Sequence, residues 1–109
     1  MTKVFVTKQN NSIVEIECDG HTGYGVHGED TVCAALSSIV QTAVLGLFQV
    51  VGVNVDYKVD EKRGYLKATL PNNLDKATRH DCDVILGTMM LGIADLHESF
   101  SDFIELEVK

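Results

Sequence analysis

The chain is short of several things, and each shortage excludes a class. Proline occurs once in 109 residues and no low-complexity tract is present, so disorder has no compositional support. Basic residues are scarce: nine Lys and Arg stand against sixteen Asp and Glu, a formal charge of −7. That is the wrong sign for a protein that must neutralise nucleic-acid phosphates, and it suits a basic partner better. Cysteine is limited to Cys18, Cys33 and Cys82, an odd number without close-pair spacing, and the N-terminus MTKVFVTKQ has no apolar signal region. These features predict free thiols in a reducing cytoplasm. Charge is missing altogether from Thr31 to Val55, a run long enough to span a bilayer. Ser37, Ser38, Gln41, Thr42 and Gln49 interrupt it, Asp30 and Asp56 bound it, and no Lys or Arg flanks its N-terminal side. A helix buried on most sides is the better reading, and no membrane association is expected.

What is present is enough apolar sequence, 45%, for one core and one domain over residues 1–109. Residues 3–7 and 12–18 read as a hairpin around Gln9-Asn10-Asn11, with Val14, Ile16 and Cys18 expected to face the core. A helix is predicted from Asp30 or Thr31 to about Val51, with Val32, Leu36, Ile39, Val40, Ala43, Leu47 and Val50 on its apolar stripe and Gly52 as its stop. Residues 53–59 and 64–70 alternate like two strands joined by Asp60-Glu61-Lys62-Arg63. A second helix is expected over about 75–98, with Cys82, Ile85, Leu86, Met89, Ile93 and Leu96 inward, then a strand at 103–108. The order ββαββαβ predicts an α+β two-layer sandwich, two helices packed on a mostly antiparallel sheet.

Chemistry concentrates around residues 20–28, GHTGYGVHG, where four glycines in nine positions imply an irregular loop. Gly23 to Gly28 fits GxGxxG, but Glu29 and Asp30 place negative charge where a pyrophosphate would sit, and the chain is too short for the second half of a dinucleotide fold. Zinc is also disfavoured: the spacing of Cys18, His21, His27 and Cys33 matches no usual zinc signature, and no metal or cofactor is expected. Cys33 is the stronger signal. With Asp30 as N-cap it falls in the first helical turn, where unpaired N–H groups and the helix dipole favour a thiolate. Ser37 lies one turn further on the same, loop-facing side, whereas Cys18 and Cys82 fall on core positions. Both His21 and His27 are placed to serve as the base, and spacing does not choose between them. His80 and His97 fall on the second helix as solvated side chains.

Residues 20–37, GHTGYGVHGEDTVCAALS, resemble the signature of the bacterial ribosomal-processing cysteine protease family, Prp. The likeness rests on Gly20-His21, the glycines from Gly23 to Gly28, Asp30, and Val32-Cys33-Ala34-Ala35 with Ser37. Thr22 and Thr31 are mild departures. The resemblance implies a Cys-His dyad with Cys33 as nucleophile and His21 as base. Asp30 would cap the helix or orient His21, and Ser37 would support the thiol, contact substrate or bond back to its own helix. The loop with Gly20, Gly23, Tyr24, Gly25 and Gly28 is implied to move around a peptide, with Tyr24 and Val26 available to aromatic substrate residues. By family resemblance the substrate is the basic precursor of the twenty-seventh large-subunit ribosomal protein, cut after a hydrophobic aromatic segment, and the enzyme a homodimer. Val44, Leu45 and Phe48, outside the main apolar stripe, are expected to meet the second subunit. The alternative is a non-catalytic module that binds a ribosomal protein or assists ribosome assembly.

Overall fold

The computed structural model describes residues 1–20 and 29–109, with side chains from Thr31 onward in the second stretch. Five strands and two helices follow in the expected order: β1 (Thr2–Gln9), β2 (Ser12–Asp19), α1 (Glu29–Gly46), β3 (Asp56–Asp60), β4 (Tyr65–Thr69), α2 (Lys76–Ser99) and β5 (Ile104–Val108). The strands form one sheet in the order β3-β4-β2-β1-β5, antiparallel except for the β1–β5 pair. Both helices pack on it, giving the two-layer α+β sandwich.

The first hairpin forms because Asn10 and Asn11 both adopt positive φ, 53° and 68°, which a two-residue turn between right-twisted strands demands. One expectation for β2 fails. Thr7 faces Glu15 but Lys8 faces Ile13, leaving Val14 as the extra residue of a β-bulge. The bulge resets the alternation, so Ile13 is buried with Ile16 and Cys18 while Val14 is only half-buried. The carbonyl of Val14 accepts from Leu70 N at 2.9 Å.

The uncharged run is α1 and its continuation. Thr31–Val51 is long and apolar enough to cross a membrane by length and composition. Here its inward face packs on the sheet and α2 through Val32, Leu36, Val40, Ala43, Val44 and Leu47, at three- and four-residue steps. Val44 therefore belongs to the core, 3% exposed, and not to an outer face. After Gly46 the helix widens into a π-helical turn, Leu47–Val51, in which Gly52 N bonds to Leu47 O at 3.0 Å, five residues back. The wider turn rotates Val50 out to 81% exposure, against the stripe expected from the sequence. Gly52, at φ 85°, closes the helix in the left-handed conformation.

Beyond it, Val53 and Val55 are buried but not in a strand: Val53 N still bonds to Leu47 O, so sheet pairing begins only at Asp56. The second helix opens on Asp75, whose carboxylate accepts from Thr78 N at 2.7 Å, and that bond holds its pKa below the usual value. Cys82, Leu86, Met89 and Ile93 face inward, with Ile85 and Leu96 half-buried beside them. Large, fully enclosed side chains such as Ile16, Leu36, Leu47, Ile93 and Ile104 each stabilise this core by about 1.5–3 kcal/mol. The opposite face of the sheet is polar, with Glu15 held by Thr69 and Lys67.

Candidate active site

Helical periodicity divides α1. Val32 and Leu36 point at the sheet, and Cys33 and Ser37, each one residue on, line an open cleft of about 210 Å³. The sequence expectation that Cys33 and Ser37 share a side is met. Gln41, the next residue in the same i, i+4 series, lines the cleft too; its spacing from Cys33 was the signal for it. The floor is apolar, made by Leu36, Leu66 and Cys18.

Thr2 lies against the thiol. It is 4% exposed at the start of β1, and its Oγ1 lies 2.9 Å from Cys33 Sγ. The same hydroxyl donates to the carbonyl of Gly20 at 3.1 Å. Sequence reading did not single out Thr2, although it shares the two-residue phase of Val4 and Val6 and so belongs on the buried face.

Gly20 follows β2 at φ 116°, and a Cβ built there would stand 2.6 Å from Met1 O. Glycine is required by both the backbone angle and the close approach of β1. His21, Gly23, Tyr24, Gly25, Val26, His27 and Gly28 lie outside the described residues, as does the side chain of Asp30. His80 is exposed on α2 and His97 half-buried there, both away from the cleft lining.

The wall opposite α1 is the β3–β4 hairpin, which contributes Val59, Asp60, Glu61 and Tyr65. Its tight turn places Gly64 at φ 69°. Arg63 ties it to the end of β2, with its guanidinium 2.8 Å from the Asp19 carboxylate and 4.4 Å from the centre of the Tyr65 ring. The Tyr65 hydroxyl donates to Glu17, which pushes the phenol's pKa up to about 12. Such exposed pairs contribute little stability, but they fix the hairpin beside Gly20.

The three thiols differ sharply. Cys18 is 8% exposed, and burial, helped by Glu17 and by the neighbouring Cys33, pushes its pKa up to about 12. Cys82 is fully enclosed, and desolvation raises its pKa as well. Cys33 is half-buried and opens on the cleft. Iodoacetamide is therefore expected to label Cys33 well before the other two, because alkylation needs an accessible thiolate. Peptide mapping after brief native-state labelling checks this, and equal labelling of all three would contradict it.

A half-buried cysteine in the opening turns of a helix, facing an open cleft, is placed as a nucleophilic thiol is placed, and the class it belongs to is that of the cysteine proteases. The chain belongs to the cysteine protease Prp family, whose model matches residues 1–105. It is 25% identical to the ribosomal processing cysteine protease Prp of Bacillus subtilis over 93 residues, 85% of this chain and 83% of that protein. The Staphylococcus aureus protein of the same name is 24% identical over 110 residues, 100% of this chain and 99% of the relative. Among solved structures, the essential S. aureus ribosomal processing protease Prp in complex with a substrate peptide superposes with a TM-score of 0.86 at 22% identity, covering 100% of both chains. A Streptococcus mutans crystal structure reaches 0.88 at 26% identity, covering 99% of this chain and 93% of that one.

Proposed function

We propose that this chain is a cytoplasmic endopeptidase of ribosome biogenesis, with residues 1–109 acting as one protease domain. It removes the N-terminal extension of the precursor of the twenty-seventh large-subunit ribosomal protein, cutting after a hydrophobic aromatic segment. The observation that carries this reading is the Cys33 thiol on the cleft wall of a chain in the Prp family. The names of its B. subtilis and S. aureus relatives support ribosomal processing, and the peptide-bound S. aureus structure supports a peptide substrate.

In this reading His21, which follows Gly20 at the end of β2, takes the Cys33 proton. The thiolate attacks the scissile carbonyl, and the C–N bond breaks as His21 protonates the departing amine. The extension remains on Cys33 as a thioester, which water hydrolyses with His21 again as base. Backbone N–H groups at the start of α1 are the natural donors to the oxyanion, in the part of the helix where they lack intrahelical partners. Asp30 is the second residue of α1 and not its N-cap, contrary to the expectation from sequence, so of the roles the resemblance implies the orienting of His21 is the one kept in this reading; Ser37 stands on the substrate side of the helix. By the resemblance, the loop with Gly23, Tyr24, Gly25 and Gly28 is the segment that would move around the peptide. An apolar cleft floor suits a hydrophobic substrate side chain, and Asp60 and Glu61 on the rim, with the net charge of −7, favour a basic precursor.

A second copy of the chain would cover the apolar groove between α1 and α2, about 780 Å³ and lined in part by Ile39, Val50, Val84 and Ile85. Leu45, Phe48 and Val50 remain exposed on α1 and its π turn. Incubation with the precursor is expected to yield the shortened ribosomal protein. An unchanged precursor mass with folded enzyme would overturn the proposal.

A further inference from the structure

We propose that Thr2 is a positioning residue for the Cys33 thiol, its hydroxyl proton switching between the Gly20 carbonyl and the sulfur as the sulfur changes charge. The inference deepens the protease reading and rests on it for the turnover consequences, though not for the behaviour of the thiol.

The geometry leaves little choice of donor. A threonine hydroxyl has one proton and two lone pairs, and a carbonyl only accepts. With its proton given to Gly20 O at 3.1 Å, Thr2 Oγ1 faces Cys33 Sγ at 2.9 Å with a lone pair, which a thiol proton can meet. Loss of the thiol proton reverses that arrangement. The sulfur becomes an anion that can only accept, and a lone pair pointing at it is repelled. Turning the whole side chain of Thr2, 4% exposed, would displace its neighbours, whereas rotation of the hydroxyl proton alone requires no heavy atom to move. The proton leaves Gly20 O and is donated to the thiolate, a charge-assisted bond stronger than the one it replaces. When the sulfur becomes a neutral thioester, the proton returns to Gly20.

Thr2 is built to hold still. It is the only buried polar side chain among the described residues, its N–H donates to Phe103 O at 2.9 Å, and it pairs with Ile104 in β5. It joins the sulfur to the carbonyl of Gly20, the residue that immediately precedes His21 in the chain. Among the described residues of the cleft lining, no other buried side chain brings a hydroxyl.

The test compares Thr2→Val, which keeps the shape and removes the hydroxyl, with Thr2→Ser, which keeps the hydroxyl. The rate of Cys33 alkylation by iodoacetamide, read by peptide mapping as a function of pH, is the readout that a purely structural role would not move. Thr2→Val is expected to raise the midpoint of that profile by about one pH unit, with Thr2→Ser close to wild type. In precursor cleavage kcat should fall about tenfold in Thr2→Val with KM little changed. A wild-type midpoint in Thr2→Val, whatever its thermal stability, would overturn the proposal; Thr2→Ala carries the same comparison if valine is not tolerated. Alkylation needs no substrate. A wild-type protein that left the precursor intact yet showed the shifted midpoint in Thr2→Val would defeat the protease reading and uphold the role of Thr2.

Discussion

Replacing Cys33 with alanine is expected to lower the rate of precursor cleavage by about 10⁴- to 10⁶-fold while leaving the fold in place. The loss is large because, among the described residues of the cleft, no other group can stand in for the sulfur. Cys18 is the nearest thiol, but its pKa of about 12 keeps it protonated and its side chain is enclosed. The fold should tolerate the change because Cys33 is half-buried on the cleft side of α1, while the neighbours that hold the helix to the sheet are Val32 and Leu36, 3% and 1% exposed. Thr2 loses one of its two partners but keeps the Gly20 carbonyl. Stability should change by less than about 1 kcal/mol. Steady-state cleavage assays together with a thermal unfolding curve check both halves of the expectation. Cleavage retained above about one-hundredth of the wild-type rate would remove Cys33 from the role of nucleophile.

Alanine at Gly20 should have the opposite signature, loss of stability together with loss of activity. At φ 116° the backbone is in a region that L-residues avoid, and the added Cβ would stand 2.6 Å from Met1 O and 3.3 Å from Thr2 Cα. Both atoms are backbone, so no side chain can swing aside. Relief requires the start of β1 to move away from the end of β2, which breaks the Thr2 bonds to Gly20 and Cys33. The expected cost is about 2–4 kcal/mol, or roughly 10–20 °C in Tm, with cleavage falling below detection. Gly52 supplies the control. It too has positive φ, 85°, but nothing lies within 4 Å of a Cβ built there. Gly52→Ala should therefore cost only about 1 kcal/mol, the backbone penalty without the collision. Equal effects at the two positions would mean that close packing of β1 on Gly20 is unimportant.

Much of this architecture was legible because it depends on local rules. Two adjacent asparagines specify the first turn, the three- and four-residue recurrence specifies α1 and α2, and a cysteine one residue out of phase with Val32 and Leu36 has to face away from the core. What escaped the sequence depends on phase shifts and on long-range contact. A bulge at Val14 and a π turn at Leu47–Val51 each add a residue to a regular period, and from there the inside and outside positions exchange: Ile13 for Val14, and Val50 turned out to solvent. Val44 looked peripheral only because the stripe had been drawn too narrowly. The same limit hid Thr2, 31 residues from Cys33 in the chain. Its proximity results from β1 pairing with β2 while α1 crosses above them, which no spacing rule reports, although its phase with Val4 and Val6 marked it as buried. For the remainder of the proposed dyad the position is different: His21 was legible as a motif, by resemblance, and not as geometry.

The central claim is that Cys33 attacks the precursor and carries its N-terminal extension as a thioester. Acid-quenching the wild-type enzyme early in the reaction, then measuring intact mass and mapping the adduct, tests it directly. The account predicts a mass increase equal to the extension peptide less one water, located on the peptide that contains Cys33, alongside the shortened ribosomal protein. Shortened product accompanied by an adduct on Cys18 or Cys82, or formed equally well by the Cys33→Ala protein, would contradict it.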